Sequence, residues 1–471
     1  MEVLSAEQLA AIKSATFDIL ENVGVRFPSQ RALRVFAEHG AQVDPDSHIV
    51  CLRPDMVTTA MAQAPRSFVL AGRAEETELF LDGTCSYFST DGCGTLTLDL
   101  ETGLERASCK DDVARMARVS DFLNSIAFYW PMVSAQDCGR TAPLHEIDAS
   151  FNHTVKHVQT ETVMGENPAQ FAVRMAEVIA GDRDRLRARP PLSSLICTIA
   201  PLAQDKEGIE AGMVYAKAGV PVGFMAMPNL GSTAPAAVAG ALAQASAEII
   251  SALVLMQLVA PGTPVFYSIV ASVMDPRSAN YVNAIAEKYL CHAAGVQIAH
   301  DWGIPILGGA FGVHHTEATT WQVGRDSVYN ALLVPLAGAE IVVGMGLLKA
   351  STLLIPEQIL FDDEIYHTHR ILAQGIDVSP KALALDVIAS VGPKGHFLAQ
   401  KHTRVRMREI WLPQLSHPGP STEQPSSDIR QRARSKLDQI LAEHQPEPLR
   451  IEQKHALRQI LETAERELGK E

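Results

Sequence analysis

Short apolar runs recur along this chain, each closing in small or polar residues and each followed by a longer stretch with helical periodicity. Eight of them suit strands buried on both faces: Ser86 to Thr90, Ser125 to Trp130, Val158 to Val163, Ser194 to Ile199, Val222 to Met227, Val265 to Val270, Ile306 to Ala310 and Ile341 to Val343. Apolar positions at a period of 3.6 residues occupy the intervals, as in Lys110 to Leu123, Gln170 to Ala180, Asp205 to Ala218, Pro235 to Val259, Tyr281 to Trp302 and Thr320 to Leu336. Eight strand and helix units close a parallel barrel, so the pattern predicts an α/β fold, a TIM-type (β/α)8 barrel over residues 85–412. Its chemistry is expected at the C-terminal strand ends.

Ahead of the barrel, helices are predicted from Ala6 to Val23, from Ser29 to His39 and from Pro54 to Gln63. The first two stop at Gly24 and Gly40, and an extended Phe68 to Gly72 completes an α-rich subdomain over residues 1–84. Gly94 to Arg106 alternates like a hairpin around Glu101-Thr102-Gly103, a small β insertion after the first strand. Helices Phe361 to Ala373 and Pro380 to Ser390 follow the eighth strand. The remainder, residues 413–471, reads as a Pro- and Ser-rich linker from Ser416 to Ser427 and two charged amphipathic helices, Ile429 to His444 and Ile451 to Leu468.

Composition narrows the function. The 471 residues are 47% hydrophobic and 20% charged, enough to bury a large core, and the net charge of −14 disfavours nucleic acid or an anionic membrane as partner. A small-molecule enzyme fits better. The longest apolar stretch, Ser251 to Phe266, is broken by Gln257 and Pro261-Gly262, and no charged-then-apolar leader opens the sequence, so a cytoplasmic protein is expected. Seven cysteines without a C-x-x-C pair read as reduced, packed thiols.

Three segments add a resemblance. ILENVGVRF near the start, AGRAEETELFLDG, and FDDEIYHTHRILAQGIDVSPKALALDVIASVGPKGHFLAQKHTRVRMREIW near the end are similar to the trimethylamine methyltransferase family of corrinoid-dependent enzymes, in the same order, to about residue 420. The resemblance implies a TIM-type barrel and methyl transfer to the corrinoid of a separate partner protein, with no metal bound directly. Founding members carry pyrrolysine at a barrel strand end, and the matching stretch here is Ile304 to Gly312, with Phe311 closest to that position. This sequence has no pyrrolysine, and so it resembles the glycine betaine methyltransferases, which take a methyl from a quaternary ammonium.

A quaternary ammonium donates no conventional hydrogen bond, so aromatic faces are its natural walls. Near the predicted strand ends lie Tyr87, Tyr129, Trp130, Tyr267 and Phe311, each alternatively a core residue; for Trp130 core packing is preferred. Polar candidates are Asp91, Gln136, Glu161, Asn229, His314 and His315. Asp91 and Glu161 would offset the ammonium charge, and the histidines would meet a betaine carboxylate, while Asp91 as a turn cap and Glu161 in a buried structural pair are the alternatives. Gly308, Gly309 and Gly312 allow close ligand approach or tight barrel closure.

The acid- and His-rich segment Asp362 to His369 lacks H-E-x-x-H or paired thiolates. It is read as a helix across the barrel mouth, with His367 and the loop residue His396 at the rim where the corrinoid protein docks. The alternatives are a zinc-dependent corrinoid methyltransferase for methanol or thiols and a non-catalytic betaine-binding protein. The long terminal helices suggest a homo-oligomer.

Overall fold

All eight apolar runs form strands, and in the computed structural model they close on themselves. The structure describes residues 1–283, 285–309, 311, 316, 318–417 and 428–469. The barrel strands are β1 (Tyr87–Thr90), β2 (Phe128–Tyr129), β3 (His157–Thr160), β4 (Leu192–Ile199), β5 (Val222–Ala226), β6 (Val265–Ile269), β7 (Ile306–Gly308) and β8 (Ile341–Met345). Each pairs in parallel with the next, and β8 returns to β1 with Ile341 opposite Tyr87, so the barrel has no free edge.

Local chemistry sets the helix ends. Asp205 accepts a hydrogen bond from the Gly208 N–H at the start of Lys206–Ala218, and Gly219, with φ at 81°, ends that helix in the left-handed conformation. Between β2 and β3 lies Ala142–His153, a helix the periodicity did not single out because Glu146 and Ser150 sit on its buried side. Val238–Val259 is the single described helix long and apolar enough to cross a membrane, but 83% of its apolar window is buried within the fold. The first helix, Ala6–Asn22, packs against it.

Alternation assigns each strand residue a side. Phe128, Leu195, Met225, Phe266, Leu307, Ile341 and Val343 share the barrel interior. Val158, Ile196, Phe224, Tyr267, Ile306 and Val342 belong to the larger core between strands and helices. An antiparallel hairpin, Phe68–Leu70 with Leu79–Leu81, adds Leu70, Leu79 and Leu81 to the interior cluster and stops the N-terminal end of the barrel. At the opposite end two small sheets build a rim. One joins the expected hairpin, Leu96–Leu98 and Glu105–Ala107, to Leu347–Leu348 and Leu353–Leu354; the other joins Asn229–Leu230, Ser272–Met274 and Tyr281–Val282.

Two expectations change beyond β8. The helix Gln358–Gln374 does not cross the mouth but packs on the flank, against Trp321–Ala337, Ile429–Glu443 and β8. Its Tyr366 ring meets the outward face of β1 at Phe88, 4.9 Å between centroids. Pro380 to Ser390 is two short helices, Pro380–Leu383 and Leu385–Val391, broken at Ala384, where φ is 48°. From Ile371 to Gln414 Ala384 alone is buried, so this segment forms an arm along which Ile376, Val378, Leu385 and Leu398 are exposed.

Candidate active site

The C-terminal end of the barrel carries a polar cluster. Glu161 directly follows β3 and keeps the inward parity of Gln159. Its two carboxylate oxygens accept hydrogen bonds from two thiols, Cys93 at 2.9 Å and Cys197 of β4 at 2.8 Å. Burial raises the Glu161 carboxyl, the two thiol hydrogen bonds pulling the other way. The same burial, together with the Glu161 charge, drives both thiols well up, so they remain protonated donors.

Asp91 follows β1 and lies within the electrostatic reach of Glu161. It accepts from the Ser351 hydroxyl at 2.6 Å and from the Gly92 N–H at 3.0 Å. Burial pushes its carboxyl up to about 6, against the pull of Ser351 and Gly92, with the Glu161 charge adding to the rise and the Lys288 ammonium opposing it. The turn-cap expectation for Asp91 and its place beside Glu161 therefore coexist.

Trp130 is a ring beside this cluster. It lies in the interior group with Cys93, Cys197 and Tyr281, and its Nε1–H is buried with no partner among the described residues. Gly92 makes room for it: a Cβ there would stand 2.1 Å from the indole Cε2 and Nε1. Tyr281, on the rim sheet, senses the Asp91 charge and is raised mainly by burial. Sequence periodicity placed Tyr281 at the start of a helix, whereas that helix begins at Ala286 and Tyr281 pairs with Met274. Deeper in the barrel, both amide atoms of Gln159 and the Ser268 hydroxyl are buried without a hydrogen-bond partner among the described residues. Such groups are costly unless water or a ligand satisfies them.

The other ring candidates do not join this cluster. Tyr129 points into the helix layer and donates to the Val113 carbonyl at 3.0 Å, and Tyr267 likewise reaches Ser246 at 3.0 Å. Phe311 packs edge-on against outward-facing Phe88, 6.0 Å between centroids. Tyr87 faces inward but at the N-terminal end, where its hydroxyl accepts from the Phe80 N–H. The cup of rings expected from Tyr87, Tyr129, Tyr267 and Phe311 is therefore not assembled. The reason is parity: Phe128 and Trp130 take the inward positions of their strand and leave Tyr129 outward, as Phe266 does for Tyr267.

Gln136 is exposed, and its amide holds the rim by donating to the Thr95 carbonyl and the Ser108 hydroxyl. Gly308 sits where a Cβ would press on Val334 at 3.2 Å, a close helix contact, and Gly309 turns with φ at 85°. His314, His315 and Gly312 lie outside the described residues. His367 lies against Trp411, 5.5 Å between centroids, in a flank cleft of about 450 Å³ shared with Phe122, Asp363 and Glu364. His396 is exposed on the arm. Neither histidine is near the strand ends that hold Asp91 and Glu161. Among the described residues no group of three or more His, Cys, Asp or Glu side chains is arranged to hold a metal ion.

The model of the trimethylamine methyltransferase (MTTB) family matches residues 1–469. This chain belongs to that family. A trimethylamine methyltransferase from Desulfitobacterium hafniense is 32% identical over 481 residues, which cover 99% of this chain and 94% of that protein. A second, from Methanosarcina mazei, is 28% identical over 99% of this chain and 96% of its own. A glycine betaine methyltransferase from Desulfitobacterium hafniense is 29% identical, covering 100% of this chain and 98% of that protein. The resemblance read from the sequence thus extends to the whole chain, and the protein is a methyltransferase of the corrinoid-dependent kind. The zinc-dependent and non-catalytic readings give way to a family match of that length.

Proposed function

We propose that this methyltransferase moves one methyl group from a quaternary amine, glycine betaine in the first instance, to the Co(I) corrinoid of a partner corrinoid protein. The observation that carries the reading is the meeting of two buried carboxylates, Asp91 and Glu161, with the Trp130 ring at one strand-end mouth. A permanent cation has no N–H to donate, so carboxylates and ring faces are the groups that hold it, each ring worth about 0.5–2 kcal/mol. It departs as a neutral amine, so the site needs no general acid, and the corrinoid supplies the nucleophile. What remains for Asp91, Glu161, Trp130 and Tyr281 is to hold the cation, aim one methyl outward and exclude water. The lack of pyrrolysine and the glycine betaine methyltransferase among the relatives favour a quaternary donor over trimethylamine.

The test is methyl-cobalt formation, followed spectroscopically, with reduced cobalamin and a panel of amines. Glycine betaine is expected to react and trimethylamine to lag. The rate should fall as pH drops through about 6, where Asp91 takes up its proton and the mouth loses negative charge. Reaction with trimethylamine but with no quaternary amine would overturn the reading.

We further place the protein in the cytoplasm, where its thiols stay reduced, and assign the exposed arm to contact with a second copy of the chain. Ile376 at 89% and Leu398 at 84% exposure belong to an apolar surface of the kind that permanent interfaces cover, whereas a corrinoid protein must come and go. The protein is expected to sediment as more than one copy, and the double variant Ile376→Glu, Leu398→Glu as a single chain. A monomeric parent would remove this assignment.

A further inference from the structure

Lys288 is a buried charge that the site described above does not use. It lies in the first turn of Ala286–Asp301, 2% exposed. A helix N-terminus carries partial positive charge and a buried ammonium is costly to desolvate, so two effects oppose a lysine at this position. Ordinary stability does not call for it. Nor does an ion pair account for it: no carboxylate among the described residues lies within 4 Å of Nζ, and the charges it senses are Asp326 and Asp91. Burial brings its ammonium down to about 8, so it still carries charge at neutral pH.

The helix that carries Lys288 starts just after the rim strand Tyr281–Val282, which sets its first turn at the C-terminal mouth of the barrel, on the side of Tyr281. Asp91 at that mouth senses Glu161 and Lys288 with opposite sign, so the mouth has an acidic and a basic end. A bare cation would use only the acidic end, whereas a molecule that carries both an ammonium and a carboxylate would use both.

Resting on the quaternary-amine reading above, we propose that Lys288 is a specificity-determining residue that receives the carboxylate of a zwitterionic donor whose ammonium group lies against Glu161, Asp91 and Trp130. The site then selects betaines over quaternary amines that carry no carboxylate.

Titration calorimetry on the full chain, with glycine betaine and with tetramethylammonium, tests this. The parent should bind glycine betaine at least about tenfold more tightly, and Lys288→Met should abolish that preference while leaving tetramethylammonium within about twofold. Lys288→Arg should keep part of the preference. An independent measurement needs no variant: 3,3-dimethylbutyrate, which has the betaine shape and carboxylate without the cation, should displace glycine betaine from the parent. Equal losses for both ligands in Lys288→Met, an unchanged preference, or no displacement by 3,3-dimethylbutyrate would overturn the carboxylate role alone. Failure of the parent to bind either quaternary amine would overturn the donor reading and the Lys288 role with it.

Discussion

Glu161→Gln is expected to lower kcat/KM for methyl transfer from a quaternary amine by about 10²-fold, roughly 3 kcal/mol of transition-state stabilisation, without unfolding the protein. Gln keeps the size of the side chain and its acceptor oxygen. It can still take one thiol hydrogen bond of the two that Cys93 and Cys197 now donate. What it loses is the negative charge set beside the donor nitrogen. The same change should not cost stability above neutral pH. Burial raises the folded Glu161 carboxyl above its ordinary range, so between the unfolded and folded values the native state holds the extra proton. Stability from this group therefore declines as pH rises through that window, and removing the ionisable proton removes the decline. Thermal melts at pH 5 and pH 8 should show the variant gaining on the parent at the higher pH. A kcat/KM within twofold of the parent would remove Glu161 from the site.

The strands were legible because parallel barrel strands are apolar on both faces, and the same property hid which rings turn inward. Phe128-Tyr129-Trp130 reads identically in either parity until one inward residue is known. Once Phe128 is seen in the interior, Tyr129 must face the helices and Trp130 the mouth. Glu161 stood out as a candidate because a carboxylate amid apolar strand residues demands an explanation from sequence alone, and Asp91 because it closes a predicted strand just before Gly92. Lys288 and Tyr281 did not stand out. In a helix beginning at Tyr281 a lysine is an ordinary solvated residue, and only the rim strand Tyr281–Val282 and the later helix start set both at the mouth. The flank position of Gln358–Gln374 was hidden for a related reason. Its buried Asp362, raised by burial to about 7, accepts from the Gly346 N–H just past β8, a tertiary contact with no local signature.

Gly223→Val is expected to destabilise the barrel by about 3 kcal/mol or more, a loss that Phe266→Leu in the same chain should partly restore. Gly223 faces Phe266 directly across the β5–β6 pair. A Cβ at Gly223 would stand 2.0 Å from Cε2, 2.3 Å from Cδ2 and 2.4 Å from Cζ of that ring, far inside contact distance. The ring has little freedom to yield, since it is 1% exposed and meets Phe68 of the closing hairpin at 6.5 Å between centroids. The absent side chain on β5 is therefore the space that the β6 ring fills, and the two residues form one packing unit. Chemical denaturation of the two single variants and the double variant gives the coupling energy. Additive losses would mean that the valine is accommodated by strand movement instead of by conflict with the ring. If the conflict is with the ring, the double variant should be more stable than Gly223→Val alone even though Phe266→Leu by itself opens a cavity.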